Sequence, residues 1–310
     1  SNTVTLSNNG NTAIAVAKID GAWTVADETA VTINDWTTSA NNYLKIYTTS
    51  AARHSGVWDT GGYRLATTTI FSIVEDYARI EGLQIDCNNG ANDCVKLAST
   101  TSSGTINFDS MIIKNSGTGY AINAASTSNL SEVIIKNLLA YNLGNEGIYG
   151  NSSDIDNLKI YNSTIVKNNT NTAVSNTGIR YALAKNVAVF NYGGLDNNKN
   201  FLNLHADSAN LICNDDSCTA YSNSTQTTQA LIGLFTDFEN YDYSIRNIYS
   251  DLCNTGLVIT AVENDIAGVS RPRDSLYDIG AFEYNGPKPK YRIKSGGDGG
   301  IKMQGYIEFK

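Results

Sequence analysis

Five nine-residue stretches decide the fold: ARIEGLQID (78–86), INFDSMIIK (106–114), VIIKNLLAY (133–141), LKIYNSTIV (158–166) and ALAKNVAVF (182–190). With Gly82, Ser110, Asn137, Asn162 and Asn186 as position zero, the units recur at spacings of 28, 27, 25 and 24 residues. Four before zero stand Ala78, Ile106, Val133, Leu158 and Ala182. Two before stand Ile80, Phe108, Ile135, Ile160 and Ala184, and three after stand Ile85, Ile113, Ala140, Ile165 and Val189. All are apolar. Each unit has an asparagine five or six after zero: Asn88, Asn115, Asn142, Asn168 and Asn191. A second apolar arm follows 11 to 13 residues past zero in the first four units, at Val95, Ile122, Ile148 and Val174.

Apolar residues two apart with polar ones between make a short strand with one buried face. A unit of this size cannot bury that face alone, but stacked like units can, and a fixed period of 20–50 residues signals a solenoid. The gaps are too poor in helix formers for βαβ units, which leaves a parallel β-helix with coils at the ordinary strand spacing of about 4.8 Å. The recurrent Asn after zero fits a turn with left-handed backbone and an amide able to bond along the stack.

Composition agrees with one elongated domain. The chain has 310 residues, 41% apolar and 17% charged, with three prolines. Asn, Ser and Thr carry the surface. No apolar run is long enough to span a membrane, and no signal-peptide pattern is present. Ser1 without Met fits either a signal-processed end or a trimmed start Met. The formal charge of −8 is uneven: residues 286–310 carry +4 and the remaining 285 carry −12. An acidic body argues against nucleic-acid binding, which wants a basic footprint. Cys87 and Cys94 flank one short loop and Cys213 and Cys218 another, so two local disulfides are expected, with Cys253 left over; free buried thiols are the alternative. Only His54 and His205 accompany the cysteines, a weak basis for zinc, and no cofactor is expected.

Residues 1–42 read as an N-terminal cap with first strands, residues 43–284 as the parallel β-helix, and 285–310 as a linker with a C-terminal β tail. The run Thr12 to Ala30 is ambiguous between a short capping helix and an irregular strand. The long loop AARHSGVWDTGGYR (51–64) offers Arg53, His54 and Trp58 as candidate sugar-holding residues; alternatively Trp58 and Tyr63 cover the side of the first coils. In the tail, Tyr291 and Ile293 lie in one short strand. Ile301, Met303, Ile307 and Phe309 alternate with polar residues in a second. A strand with an apolar face needs a partner surface, either its own coil stack or a neighbouring copy reached by strand addition.

The segments DYSIRNIYSDLCNTG (242–256) and NDIAGVSRPRDSLYDIGAFEY (264–284) resemble the closing region of bacterial and phage-associated right-handed parallel β-helix proteins. That family ends on a Ser-Pro-containing segment, then Asp-x-x-Gly, an Arg, and Asp-Ile-Gly-Ala-x-Glu. Matching residues here are Asp265, Gly268, Arg271 or Arg273, Asp278, Ile279, Gly280, Ala281 and Glu283; the first segment departs, with Asp251, Leu252 and Cys253 in its place. The resemblance implies an all-β, right-handed parallel β-helix. It does not imply one function, because the family includes surface proteins, virion proteins and relatives of polysaccharide lyases. A last-rung lock is expected, with Asp278 or Glu283 pairing Arg271 or Arg273 where the final coil meets solvent.

A uronate lyase would need a Ca²⁺ held by clustered carboxylates, or Arg and Lys, beside a base. Asp86, Asp93, Asp109, Asp154, Asp156, Asp215 and Asp216 are candidate carboxylates, and Lys136, Lys159 and Arg180 candidate bases, but none forms a motif. No Ser-His-Asp signature, phosphate loop or metal-ligand pair appears. The expectation is a non-enzymatic structural protein on a cell surface, in an extracellular filament or in a virion. It would assemble with copies of itself through its basic tail, without inserting in a membrane. The alternatives are a polysaccharide lyase and a glycan-binding protein.

Overall fold

The computed structural model describes residues 14–66, 70–98, 104–125, 130–153, 155–168, 177–192 and 199–287, with the backbone of Arg292–Ser295 and Ile301–Gln304. The chain winds into a parallel β-solenoid with three strand faces per coil. The first face stacks Ala15–Ile19, Leu44–Thr48, Tyr77–Glu81, Thr105–Asp109, Glu132–Lys136 and Leu158–Tyr161. The second stacks Arg64–Ala66, Gln84–Asp86, Ile112–Lys114, Leu139–Leu143 and Thr164–Lys167. The long strand Leu183–Asn191 runs through the corner and joins both faces. The third face is a separate sheet from Thr32–Ile33 to Phe201–Leu202.

The repeat read from sequence is the register of these stacks. Ile80, Phe108, Ile135, Ile160 and Ala184 pair in one column, and Ile85, Ile113, Ala140, Ile165 and Val189 in another; all ten are buried. Each large apolar side chain so buried contributes roughly 1.5–3 kcal/mol. On the third face Val95, Ile122 and Ile148 pair upward to Ile179 and Phe201. Ile179 therefore takes the place assigned by spacing to Val174, which lies outside the described residues; a longer loop in that coil shifts the arm.

The left-handed corner sits at position zero itself. Gly82, Ser110, Asn137, Asn162, Asn186 and Asn210 have φ of 75°, 54°, 52°, 43°, 56° and 54°. Asn tolerates this region better than other residues with a Cβ, because its short amide bonds locally. A second left-handed column holds at Asn88, Asn115 and Asn142, with φ of 50°, 58° and 54°. Asn191 instead ends a strand. Ladders of amides do run along the stack: Asn142 to Asn115 to Asp86, and Asn137 to Asp109.

Two boundaries differ from the sequence reading. Ala15–Ile19 is already a rung, paired in register with Leu44–Thr48, so no separate cap precedes the coils within the described residues. At the other end the solenoid's last rungs are Ala209–Cys213 and Thr225–Gln226. The chain then leaves the coils and returns along the outside of the second face as a strap. Its cause is a second apolar column: Ile112, Leu139, Tyr141, Val166, Ala188, Phe190 and Ile212 point outward and are covered by Phe235, Tyr243, Ile245, Leu252, Ile279 and Phe282. The tail forms its own antiparallel pair, with Ile293 opposite Met303 and Ser295 opposite Ile301. Tyr291, Ile307 and Phe309 lie outside the described residues.

Asn186 joins both systems. It is fully buried, its Nδ2 donates to Leu257 O (2.7 Å), and its Oδ1 accepts from Leu257 N (2.7 Å). Replacing it with Ala loses the left-handed tolerance (about 1–2 kcal/mol) and both strap bonds (about 1 kcal/mol each). Denaturant unfolding should show Asn186→Ala destabilised by about 3–4 kcal/mol and Asn186→Gly by about 1–2 kcal/mol less. Equal losses would show that the corner backbone contributes nothing.

Candidate functional site

The strap and the corner column enclose a cleft of about 510 Å³. The solenoid side supplies Arg53, Glu81, Asp109 and Lys136, and the strap supplies Thr260 to Gly268. Corner geometry builds the wall: a left-handed residue at zero turns the chain, so the residue just before it, at the end of each first-face strand, stands at the rim. Lys136 Nζ lies 3.1 Å from Asp109 Oδ2 and donates to Ala261 O at 3.1 Å. Asn137 Nδ2 donates to Asp109 Oδ1 (3.1 Å) and Asn264 O (3.0 Å), while its buried Oδ1 has no hydrogen-bond partner. Glu81 pairs with Lys45 at 2.8 Å. Arg53 has no ion-pair partner among the described residues. Partly exposed pairs of this kind contribute about 0–1 kcal/mol each.

Of the three candidate sugar-holding residues, Arg53 and His54 both line the cleft and Trp58 does not. His54 is buried and fully engaged: Gly56 N donates to Nδ1 (3.1 Å), so Nε2 carries the hydrogen and donates to Ser110 O (2.8 Å). Burial holds His54 neutral, with its pKa lowered to about 4. Trp58 packs on the second core, with Lys114 Nζ 4.0 Å from its ring centroid. The ring is half-buried and covers coils, as the alternative reading had it.

The residues of the terminal motif form the strap's buried knot, not a seal on the last coil. Asp265 Oδ1 accepts from Ala267 N and Val269 N, its Oδ2 accepts from Glu283 N, and Gly268 (φ 84°) completes the turn. Arg271 Nη1 meets Glu283 Oε1 at 2.6 Å, with both side chains within 1% of full burial. The same guanidinium donates to Asp278 O and Gly280 O. Asp278 accepts from Asn254 N and Tyr284 N. Burial pushes the Asp265, Asp278 and Glu283 carboxyls up, and Arg271 and the backbone donors oppose it. Gly280 (φ 103°) is required twice: a Cβ there would stand 2.6 Å from Thr164 Oγ1. Arg273 instead reaches outward to Tyr284 O and Asn285.

The remaining candidates are spread over the surface. Asp86 pairs with Lys114, Lys159 with Glu132, and Asp156 with His205. Asp93 accepts from Tyr120 N and Asn123, and Asp215 caps Ser217. Arg180 pairs with buried Glu146, a partner the sequence reading missed, and lies over the Tyr149 ring. Lys167 was also missed: burial lowers its pKa to about 7, and nearby Asp215 opposes the shift. Both expected disulfides are present, Cys87–Cys94 and Cys213–Cys218, and Cys253 is buried and unpaired. Among the described residues, no group of three His, Cys, Asp or Glu is placed to hold a metal, and no helix is long and apolar enough to cross a membrane. No protein-family profile matches the chain, and no curated protein matches it significantly.

His54 makes stability pH-dependent. Its folded pKa lies below the unfolded value, so protons favour the unfolded chain. Its contribution is complete above about pH 6.5 and is lost as pH falls toward 4. A shift of this size is worth about 3 kcal/mol. The difference in unfolding free energy between wild type and His54→Gln, in which other titrating groups cancel, should shrink by about that amount from pH 7 to pH 4. A flat difference would contradict the buried neutral ring.

Proposed function

We propose that this protein is a non-enzymatic structural subunit of an extracellular assembly, a filament, surface layer or virion, joined through the ends of its solenoid. The observation that carries this reading is the C-terminal hairpin, whose strands Arg292–Ser295 and Ile301–Gln304 form a separate two-stranded sheet. A lone hairpin is marginal in water, and three strands or a packing surface are needed to hold it. It belongs to a segment of +4 on a body of −12. The two disulfides are compatible with an extracellular place. The likeness of residues 264–284 to the closing region of bacterial and phage-associated β-helix proteins favours a surface or virion setting. The cleft supports a non-catalytic role: Glu81 and Asp109 are ion-paired, and Asp265 is occupied by three backbone N–H groups. Electron microscopy of the whole chain beside a chain ending at Tyr284 tests the reading. Ordered filaments or oligomers are expected with the tail and monomers without it; monomers in both cases would sink it.

Glycan binding in the cleft is the second reading, favoured by Arg53 on its wall, a cation with no ion-pair partner among the described residues. On this reading an acidic oligosaccharide binds saturably and Arg53→Ala weakens it at least tenfold in calorimetry. Release of unsaturated product would replace it with a lyase.

A further inference from the structure

Among the described residues, the first coil leaves one sheet edge without a neighbouring strand. Ala15–Ile19 ends the large sheet and pairs with Leu44–Thr48 on one side only. Ala15 N donates to Tyr43 O (3.2 Å) and Ile19 O accepts from Thr49 N (2.9 Å), so the alternate residues Ala15, Ala17 and Ile19 bond to the second coil. In a parallel ladder the N–H and C=O of Val16 and Lys18 then point off the end of the stack. An open edge of this kind is a template for another strand.

The same end has the chemistry to select its strand. Residues 14–42 carry Asp20, Asp27, Glu28 and Asp35 against Lys18, a net −3. Asp35 also neighbours Glu75 and Asp76 around a hollow beside Trp36. Val16, Val25 and Trp36 are 53%, 70% and 38% exposed. The C-terminal segment is the complement: +4, with a hairpin of two four-residue strands. Each strand spans about 13 Å, most of the length of a five-residue edge.

We propose that the N-terminal edge of one copy receives the C-terminal hairpin of a second copy as an added strand, joining solenoids head to tail. This rests on the structural-subunit reading and names its acceptor surface. The contact uses different patches on the two copies, so it does not close and propagates as a filament. Backbone bonds to Val16 and Lys18 fix the register, and the opposite charges raise the encounter rate and make the junction salt-sensitive.

Sedimentation of the full-length chain at low and high salt tests it, using head variants and a tail variant. Val16→Pro removes an N–H that bonds to no described residue, at an edge where proline is tolerated. Glu28→Lys changes an exposed charge and leaves the backbone intact, which keeps the test informative if the proline variant unfolds by circular dichroism. Lys294→Glu/Lys302→Glu disables the tail. Wild type should form salt-labile higher species, and each variant alone should associate at least tenfold more weakly. An equimolar mixture of Val16→Pro with the tail variant should form dimers and stop, because one live tail meets one live head. If the tail variant is monomeric but both head variants assemble like wild type, the hairpin docks elsewhere; this proposal falls and the structural reading stands. Assembly by the tail variant also overturns it, and a monomeric wild type at every salt overturns both.

Discussion

Most of this molecule depends on one backbone constraint: from the rung Tyr77–Glu81 onward, each coil turns through a left-handed residue at the same position of its repeat. The corner is sharp, and an L side chain enters that region at a cost of about 1–2 kcal/mol unless it is Gly or a short amide that bonds locally. Gly82 meets the demand first, Ser110 next, and Asn in the four following coils. Repeating one residue type places identical amides above one another. Some of these bond up the stack, as Asn137 does to Asp109 and Asn186 does to Asn162.

The same amides hold the strap. Asn210 donates to Thr255 O, Asn186 grips Leu257, Asn162 donates to Asp278 O and Asn137 donates to Asn264 O. A side chain chosen for its backbone tolerance thus also supplies donors where the returning segment needs them. The strap in turn buries the outward apolar column and packs Phe282 against Gly56, beside the first coils. Its own centre is the buried Arg271–Glu283 pair. That arrangement is costly to break because a lone charge would remain in the interior.

Periodicity made the coils legible. Columns at minus four, minus two and plus three appear in every unit, because an inward position tolerates only apolar residues. The strap was legible in part. Leu139 and Tyr141, then Ala188 and Phe190, flank the inward column at plus two and plus four, and apolar residues on both sides of a strand mean that both faces are covered. Reading only the inward column left the terminal motif without a place, and it was assigned to the end of the stack. The third-face arm was misplaced at Val174 because spacing cannot follow a coil with a longer loop. The cleft was legible only as separate residues, Arg53, His54, Asp109 and Lys136, and not as a site: they meet Asn264 through a return path that no local pattern encodes. His54 and Trp58 were candidates for holding a sugar, with Trp58 alternatively a cover for the first coils; burial and backbone bonds engage His54, and packing engages Trp58.

The strap alters how the solenoid can come apart. A bare stack of repeats is held by nearest-neighbour contacts, so it can fray one rung at a time from either end. Here a single covalent segment is fastened at the rungs of Asn210, Asn186, Asn162 and Asn137, and reaches the loop at Gly56. Opening any one of those rungs strips the segment from its neighbours as well. Such a tie couples the opening of neighbouring rungs and raises the cooperativity of the stack above that of a bare repeat array. A tension applied along the axis is shared between the stack and this lateral tie.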